Sequence, residues 1–227
     1  MKRLGHSYRQ DEAADNVPAE ENRRYGIQDT SRAAAYGYRP YSVVHPPEPD
    51  SKARPYTQAE LASLSGMDDK GQEIAPGTKS VNGETIPKGG CRGEADRVVR
   101  APFDHPEGVS AARTIYFKGF EKSLADPAVK EIFTAWSACM ADKNYTYDSP
   151  LAAMGSAEFS RGRITGRERA VAQADISCKK KVDLIQRWNV VEAAIETRMI
   201  REKSAVLQEL LKRQNAKVAA ARKIVGS

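Results

Sequence analysis

The sequence holds few of the residues that usually carry chemistry. Three cysteines, three histidines and two tryptophans stand among 227 residues, and aromatics make up only 7%. No cysteine pair shows a C-x2-C spacing and His6, His45 and His105 show no H-x3-H spacing, so no zinc site is expected. No histidine lies near a cysteine in sequence, which removes the usual signature of an activated thiol nucleophile. No run approaches the roughly 18 apolar residues of a membrane span, so no transmembrane segment is expected. Met1-Lys2-Arg3-Leu4-Gly5-His6 carries two positive charges but no apolar stretch follows, so no signal peptide is visible and the chain taken literally is cytoplasmic. Around Lys79-Ser80 the glycine spacing of a phosphate-binding loop is missing. No cofactor is expected and no catalytic residue stands out.

Charge is plentiful and uneven. From Leu151 to Ser227 there are 16 Lys and Arg against 8 Asp and Glu, whereas the first 150 residues hold 20 basic and 22 acidic. A near-neutral front and a basic tail suit either internal complementarity or an anionic partner for the tail.

Residues 1–56 contain six prolines and six tyrosines and read either as an extended arm whose tyrosines dock on a helical body or as plain disorder. A short helix from Ser31 to Tyr36 is expected to end at Gly37. Thr57-Gln58-Ala59-Glu60 has the form of a capping box, followed by Leu61 and Leu64 and stopped by Gly66. Met67 to Gly90 reads as a surface loop. The string Gly89 to Ala95 leads into a short helix expected through about Val99, and another is expected from Val109 to Leu124. Asp126-Pro127 is a firmer start, and Val129, Ile132, Trp136 and Cys139 then recur at steps of three and four up to a stop at Asn144.

The last quarter, from Thr165 to about Ile224, reads as one long amphipathic helix opening on a second capping box, Thr165 to Glu168. Its stripe runs through Val171, Ala174, Cys178, Ile185, Trp188, Val191, Ile195 and Met199, then resumes at Val206 and Leu210. At 1.5 Å per residue, about 60 residues span roughly 90 Å, longer than a domain of this size is wide. The fold class is therefore mainly α: a helical hairpin built on one long C-terminal helix, with an irregular Tyr/Pro-rich N-terminal arm. The expected divisions are an arm at 1–56, a helical domain at 57–200 and a protruding helix end at 201–227.

Cys139 and Cys178 would fall at one level if their helices pack antiparallel. They are then either a disulfide or two buried thiols, with Cys91 left over. Glu192 with Glu196, and Glu168 with Asp175, share helix faces and read as solvated charge, while Trp136 and Trp188 read as core. Arg161, Arg163, Arg167, Arg169, Lys179, Lys180 and Lys181 form the candidate surface for an anionic polymer or membrane, against the plainer reading of a solvated face. Val206, Leu207, Leu210 and Leu211 are the candidate surface for a protein partner or a second copy.

Several short strings carry a resemblance. Arg24-Tyr25-Gly26, Tyr36-Gly37-Tyr38, the Thr57 to Gly66 helix, Gly89-Gly90-Cys91 with Glu94-Ala95, Trp136-Ser137-Ala138-Cys139-Met140, and Ala174-Asp175 with Cys178 and Trp188 together resemble an uncharacterised group of exported or lipid-anchored actinobacterial proteins. The resemblance covers most of residues 24 to 200. It implies export, hence oxidised cysteines and a place in the cell envelope, and it brings no activity. The sequence departs from the group in lacking a visible signal peptide or lipid-attachment cysteine, and in having Asn144 where glycine is expected. The resulting expectation is a non-catalytic helical interaction protein, with an anion-binding module as the alternative.

Overall fold

In the computed structural model the described residues are 1–7, 22–46 and 55–225. They are mainly α-helical: α1 (Thr30–Tyr36), α2 (Tyr41–Val44), α3 (Gln58–Ser65), α4 (Gly90–Ala95), α5 (Pro106–Ala125), α6 (Pro127–Ala141), α7 (Pro150–Met154), α8 (Ala157–Ser160), α9 (Gly166–Lys181), α10 (Leu184–Glu202) and α11 (Ser204–Val225). Among the described residues extended pairing is limited to two isolated bridges, Met67 with Glu73 and Lys79 with Thr85. No helix among them is long and apolar enough to cross a membrane.

Two compact units divide the chain. A central unit takes the described residues of 16–48 and 112–204, and a terminal unit takes those of 1–15, 49–111 and 205–227. Helix α5 supplies residues to both.

The central unit is built on α6, α9 and α10. Asp126 accepts a hydrogen bond from the Ala128 N–H at 2.9 Å and Pro127 occupies the first helical position, so α6 starts where the sequence indicates. Asn144 has a left-handed φ of 63° just beyond its end. The expected stripe of Val129, Ile132, Trp136 and Cys139 is buried, together with Met140. It packs with Val171 and Cys178 of α9 and with Leu184 and Trp188 of α10 in one apolar core. The Cys139 and Cys178 sulfurs stand 2.06 Å apart with Cα atoms 5.7 Å apart, which is a disulfide rather than two buried thiols.

The last quarter is helical, but not as one helix. Asp183 takes left-handed angles (φ 50°, ψ 41°) between α9 and α10, and Lys203 interrupts the backbone again before α11. Asp183 and Arg187 stand at i, i+4, but the Arg187 guanidinium donates instead to the Val182 carbonyl at 3.4 Å. Those carbonyls lack helical partners at a helix end, so a guanidinium is well placed among them. Farther on, Glu209 and Arg213, also at i, i+4, pair at 2.7 Å.

In the terminal unit, Thr57 and Glu60 make the full capping box, each side chain serving the other's backbone N–H. Helix α3 packs on α4, and Leu4, Ala62, Leu64 and Ile86 are buried. Helix α4 runs into a π-helical turn at Asp96–Arg100, so the helix expected to end near Val99 continues slightly farther. The start of α5 packs on α11 at Gly108, where an added Cβ would lie 2.7 Å from the Leu210 Cβ.

Candidate functional site

Of the arm expected at 1–56, the described residues 22–46 belong to the central unit and are held there by charge, whereas 1–7 and 55–56 belong to the terminal unit. Asp29 caps α1 through Ser31 and Arg32, and α1 ends at Gly37 as the sequence suggests. Helix α1 then lies along α9. Lys180 Nζ donates to Thr30 Oγ1 at 3.3 Å, and Arg169 Nε donates to the Ala35 carbonyl at 3.1 Å. The arm therefore runs opposite in direction to the helix it covers.

Three buried carboxylates of α9 and α10 receive it. Glu192 accepts from Arg24 Nε at 2.7 Å, and the same guanidinium reaches Glu196 at 3.3 Å while lying over the Tyr116 ring at 3.9 Å. Asp175 Oδ2 accepts from Lys179 Nζ at 2.9 Å, and that ammonium also donates to the Ile27 carbonyl at 3.0 Å. Asp175 Oδ1 accepts from Trp136 Nε1 at 3.0 Å, joining the network to α6. Glu168 Oε1 accepts from the Tyr38 backbone N–H and from Arg39 Nε, both at 3.2 Å. Gly37 makes that approach possible: its φ is 58°, and a Cβ there would lie 2.6 Å from the Glu168 Cγ.

These contacts correct the reading of the acidic pairs as solvated faces. Glu168, Asp175 and Glu192 are each at most 2% exposed. Burial pushes the Asp175 carboxyl up to about 6, against the lowering effect of Lys179 and Trp136. The second capping box is also only half formed. Thr165 Oγ1 accepts from the Glu168 N–H at 3.0 Å, but the Glu168 side chain turns to the arm instead of back to Thr165. A spacing pattern marks the capping potential of a glutamate, not a competing partner 130 residues away. Arg24, Tyr38 and Arg39 were missed as partners for the same reason, although the Tyr-Gly-Tyr string and the sign of the arginines were visible signals.

The candidate anion-binding residues are mostly committed to the protein. Lys179 is 2% exposed and belongs to the buried network, so it leaves that surface. Arg167 pairs with Glu158 at 3.1 Å, Arg169 and Lys180 hold α1, and Lys181 lies 3.9 Å from Asp142. Arg161 and Arg163 are exposed, and the Arg161 carbonyl accepts from Arg39 at 3.0 Å.

Of the four candidate partner-binding residues, only Leu211 is exposed. The Leu210 side chain and the Val206 carbonyl lie against Gly108 of α5, so this stretch of the helix end expected to protrude is covered. A glycine in the opposing helix lets the two backbones approach closely enough for that packing. Leu207 is half-buried, while Leu211 is 61% exposed and Val218, seven residues on, is 47% exposed. Cys91 is a free, half-buried thiol in the wall of a cavity of about 860 Å³ that Leu64, His6 and Ala95 also line. Among the described residues no group of three His, Cys, Asp or Glu side chains is placed to hold a metal ion.

No family model, curated protein or solved structure matches this chain.

Proposed function

We propose that the protein is a non-catalytic helical interaction protein that offers the outer stripe of α11 to a protein partner. The observation that carries this reading is the pair Leu211 and Val218, two large apolar side chains seven residues apart, 61% and 47% exposed, on a helix whose other side is already packed. Spacing of seven places both on one face. In the central unit the buried carboxylates are each answered by an arginine or lysine, which suits a rigid support better than a reaction centre. The disulfide, and the resemblance to exported proteins, favour an oxidising compartment such as the cell envelope. The alternative, anion binding through Arg161 to Lys181, is less favoured because most of those side chains are occupied within the unit.

A photo-crosslinking side chain at position 211, in the cells that make the protein, tests the proposal. We expect a discrete crosslinked protein that disappears when Val218→Glu is added, with a control crosslinker at exposed Val43 giving none. Equal products at both positions, or none at 211, would refute it.

A further inference from the structure

We infer that the cavity beside Cys91 in the terminal unit binds an anionic amphiphile, a single acyl chain with a carboxylate or similar head, whether or not α11 docks a partner. The cavity is made by close packing of short segments. Leu4 is fully buried, and Arg3 Nη2 donates to both Glu94 oxygens, at 3.0 and 2.8 Å, which ties the first residues to α4. Helix α4 lies tight on α3: a Cβ at Gly90 would stand 2.5 Å from the Leu64 carbonyl carbon. Cys91 and Ala95 are one turn apart and so share a face of α4. With Leu64 they give the cavity of about 860 Å³ its apolar wall, since a free thiol behaves as a small hydrophobe. That volume is within the roughly 300–1,000 Å³ of small-molecule sites.

The polar groups of the wall set the sign of the ligand. Lys2, His6 and Arg92 line the cavity, and among the described residues no acidic side chain does. Lys2 and Arg92 are exposed, and neither is paired with a described acid. The single acid of α4, Glu94, is already answered by Arg3. His6 Nε2 is buried with no hydrogen-bond partner among the described residues. A buried polar atom left without a partner is costly, and an oxyanion accepts from this one. An apolar wall with a few convergent cationic groups matches a carboxylate carried on an acyl chain. An inorganic anion would leave the apolar wall unused, and a bilayer meets protein through an exposed amphipathic face rather than a concave wall.

The test uses the full chain with decanoate, decanol and decylammonium, each below its micelle concentration. Titration calorimetry should show decanoate binding at least about tenfold more tightly than decanol, the value of one charge-assisted contact, with the difference fading at high salt. Decanoate at about ten times its Kd should slow alkylation of Cys91 by iodoacetamide about tenfold, by occupancy of the same cavity. The double variant Lys2→Glu, Arg92→Glu should bind decylammonium in preference to decanoate, an inversion that misfolding would not produce. Ala95→Trp, at an exposed place in the wall, should abolish binding while far-ultraviolet circular dichroism stays unchanged. Equal affinity for decanoate and decanol, or an unchanged preference in the double variant, overturns the anionic assignment. Binding that leaves Cys91 alkylation unchanged, or that survives Ala95→Trp, lies elsewhere and overturns the site, as does the absence of any binding. Protection of Cys91 by vesicles of anionic lipid but not by decanoate overturns the free ligand in favour of a membrane.

Discussion

Replacing Lys179 by methionine removes one charge from the centre of the buried network and leaves its partner in place. The Lys179 ammonium is 2% exposed and touches Asp175 Oδ2 at 2.9 Å and the Ile27 carbonyl at 3.0 Å. Without it, Asp175 is a carboxylate at 0% exposure with only the neutral Trp136 indole and Tyr38 hydroxyl beside it. Breaking a buried pair from one side costs about 3–5 kcal/mol, because a buried charge is left uncompensated. At roughly 2–5 °C per kcal/mol for a unit of this size, the melting temperature should fall by about 10 °C. Both tryptophans of the chain, Trp136 and Trp188, lie in the central unit, so tryptophan fluorescence during urea or thermal unfolding follows that unit alone. Adding Asp175→Asn should recover a good part of the loss, since asparagine can still accept the indole N–H but carries no charge. The deficit of the single variant should also shrink on acidification, as Asp175 takes up a proton. A loss below about 1 kcal/mol, the range of exposed ion pairs, would show that water reaches the site. The reading of the arm as charge-clasped would then be wrong.

Three further outcomes follow from the same contacts. Reducing the Cys139–Cys178 bond, which closes a sequence separation of 39, should cost the central unit about 4 kcal/mol by loop entropy, read as the difference between unfolding curves with and without reductant. Gly37→Ala should destabilise the unit by about 1–3 kcal/mol through its positive φ and the Cβ clash with Glu168, and Glu168→Gln should not reproduce the φ part of that loss in urea titrations. Burial raises the Asp175 carboxyl from its ordinary 3.8 to about 6, so its contribution to stability is full below 3.8 and lost as pH rises through about 6. Relative to Asp175→Asn, the wild type should therefore gain stability on acidification across that window, measured by denaturation at a series of pH values.

Much of the helical framework was legible because local signals and tertiary need agree. Asp126-Pro127 starts α6 and Thr57 with Glu60 starts α3, each through bonds made within three residues. The stripe from Val129 to Cys139 repeats at helical spacing and is buried. Where the two diverge, the reading failed. The apolar period passes through Val182 and Asp183 with little disturbance, yet the backbone breaks there. The break separates the segment that carries Cys178 of the disulfide from the one that carries Trp188, a requirement of packing that periodicity does not express. Aspartate is among the few residues apart from glycine that tolerate the left-handed region, so residue 183 was a faint clue. The covering of Leu210 was likewise hidden, since its cause is the absence of a side chain at Gly108, roughly a hundred residues away.

The carboxylates show why charge patterns on a helix are ambiguous by themselves. Glu168 and Asp175 lie two turns apart on one face, the arrangement of an exposed acidic stripe and also of a row of sockets for cations. Composition could have separated the two cases. The arm brings Arg24 and Arg39 at its two ends, and Lys179 stands four residues after Asp175, so each buried acid has its own cation. Removing ions from water is costly unless they are paired and hydrogen-bonded. An arm held in this way is therefore specified in register more than it is stabilised: a slip of one residue would put Arg24 out of reach of Glu192, or Tyr38 away from Glu168. A central unit clasped so closely has little freedom left for binding along α9, which supports the proposal that a partner docks on the outer stripe of α11 instead.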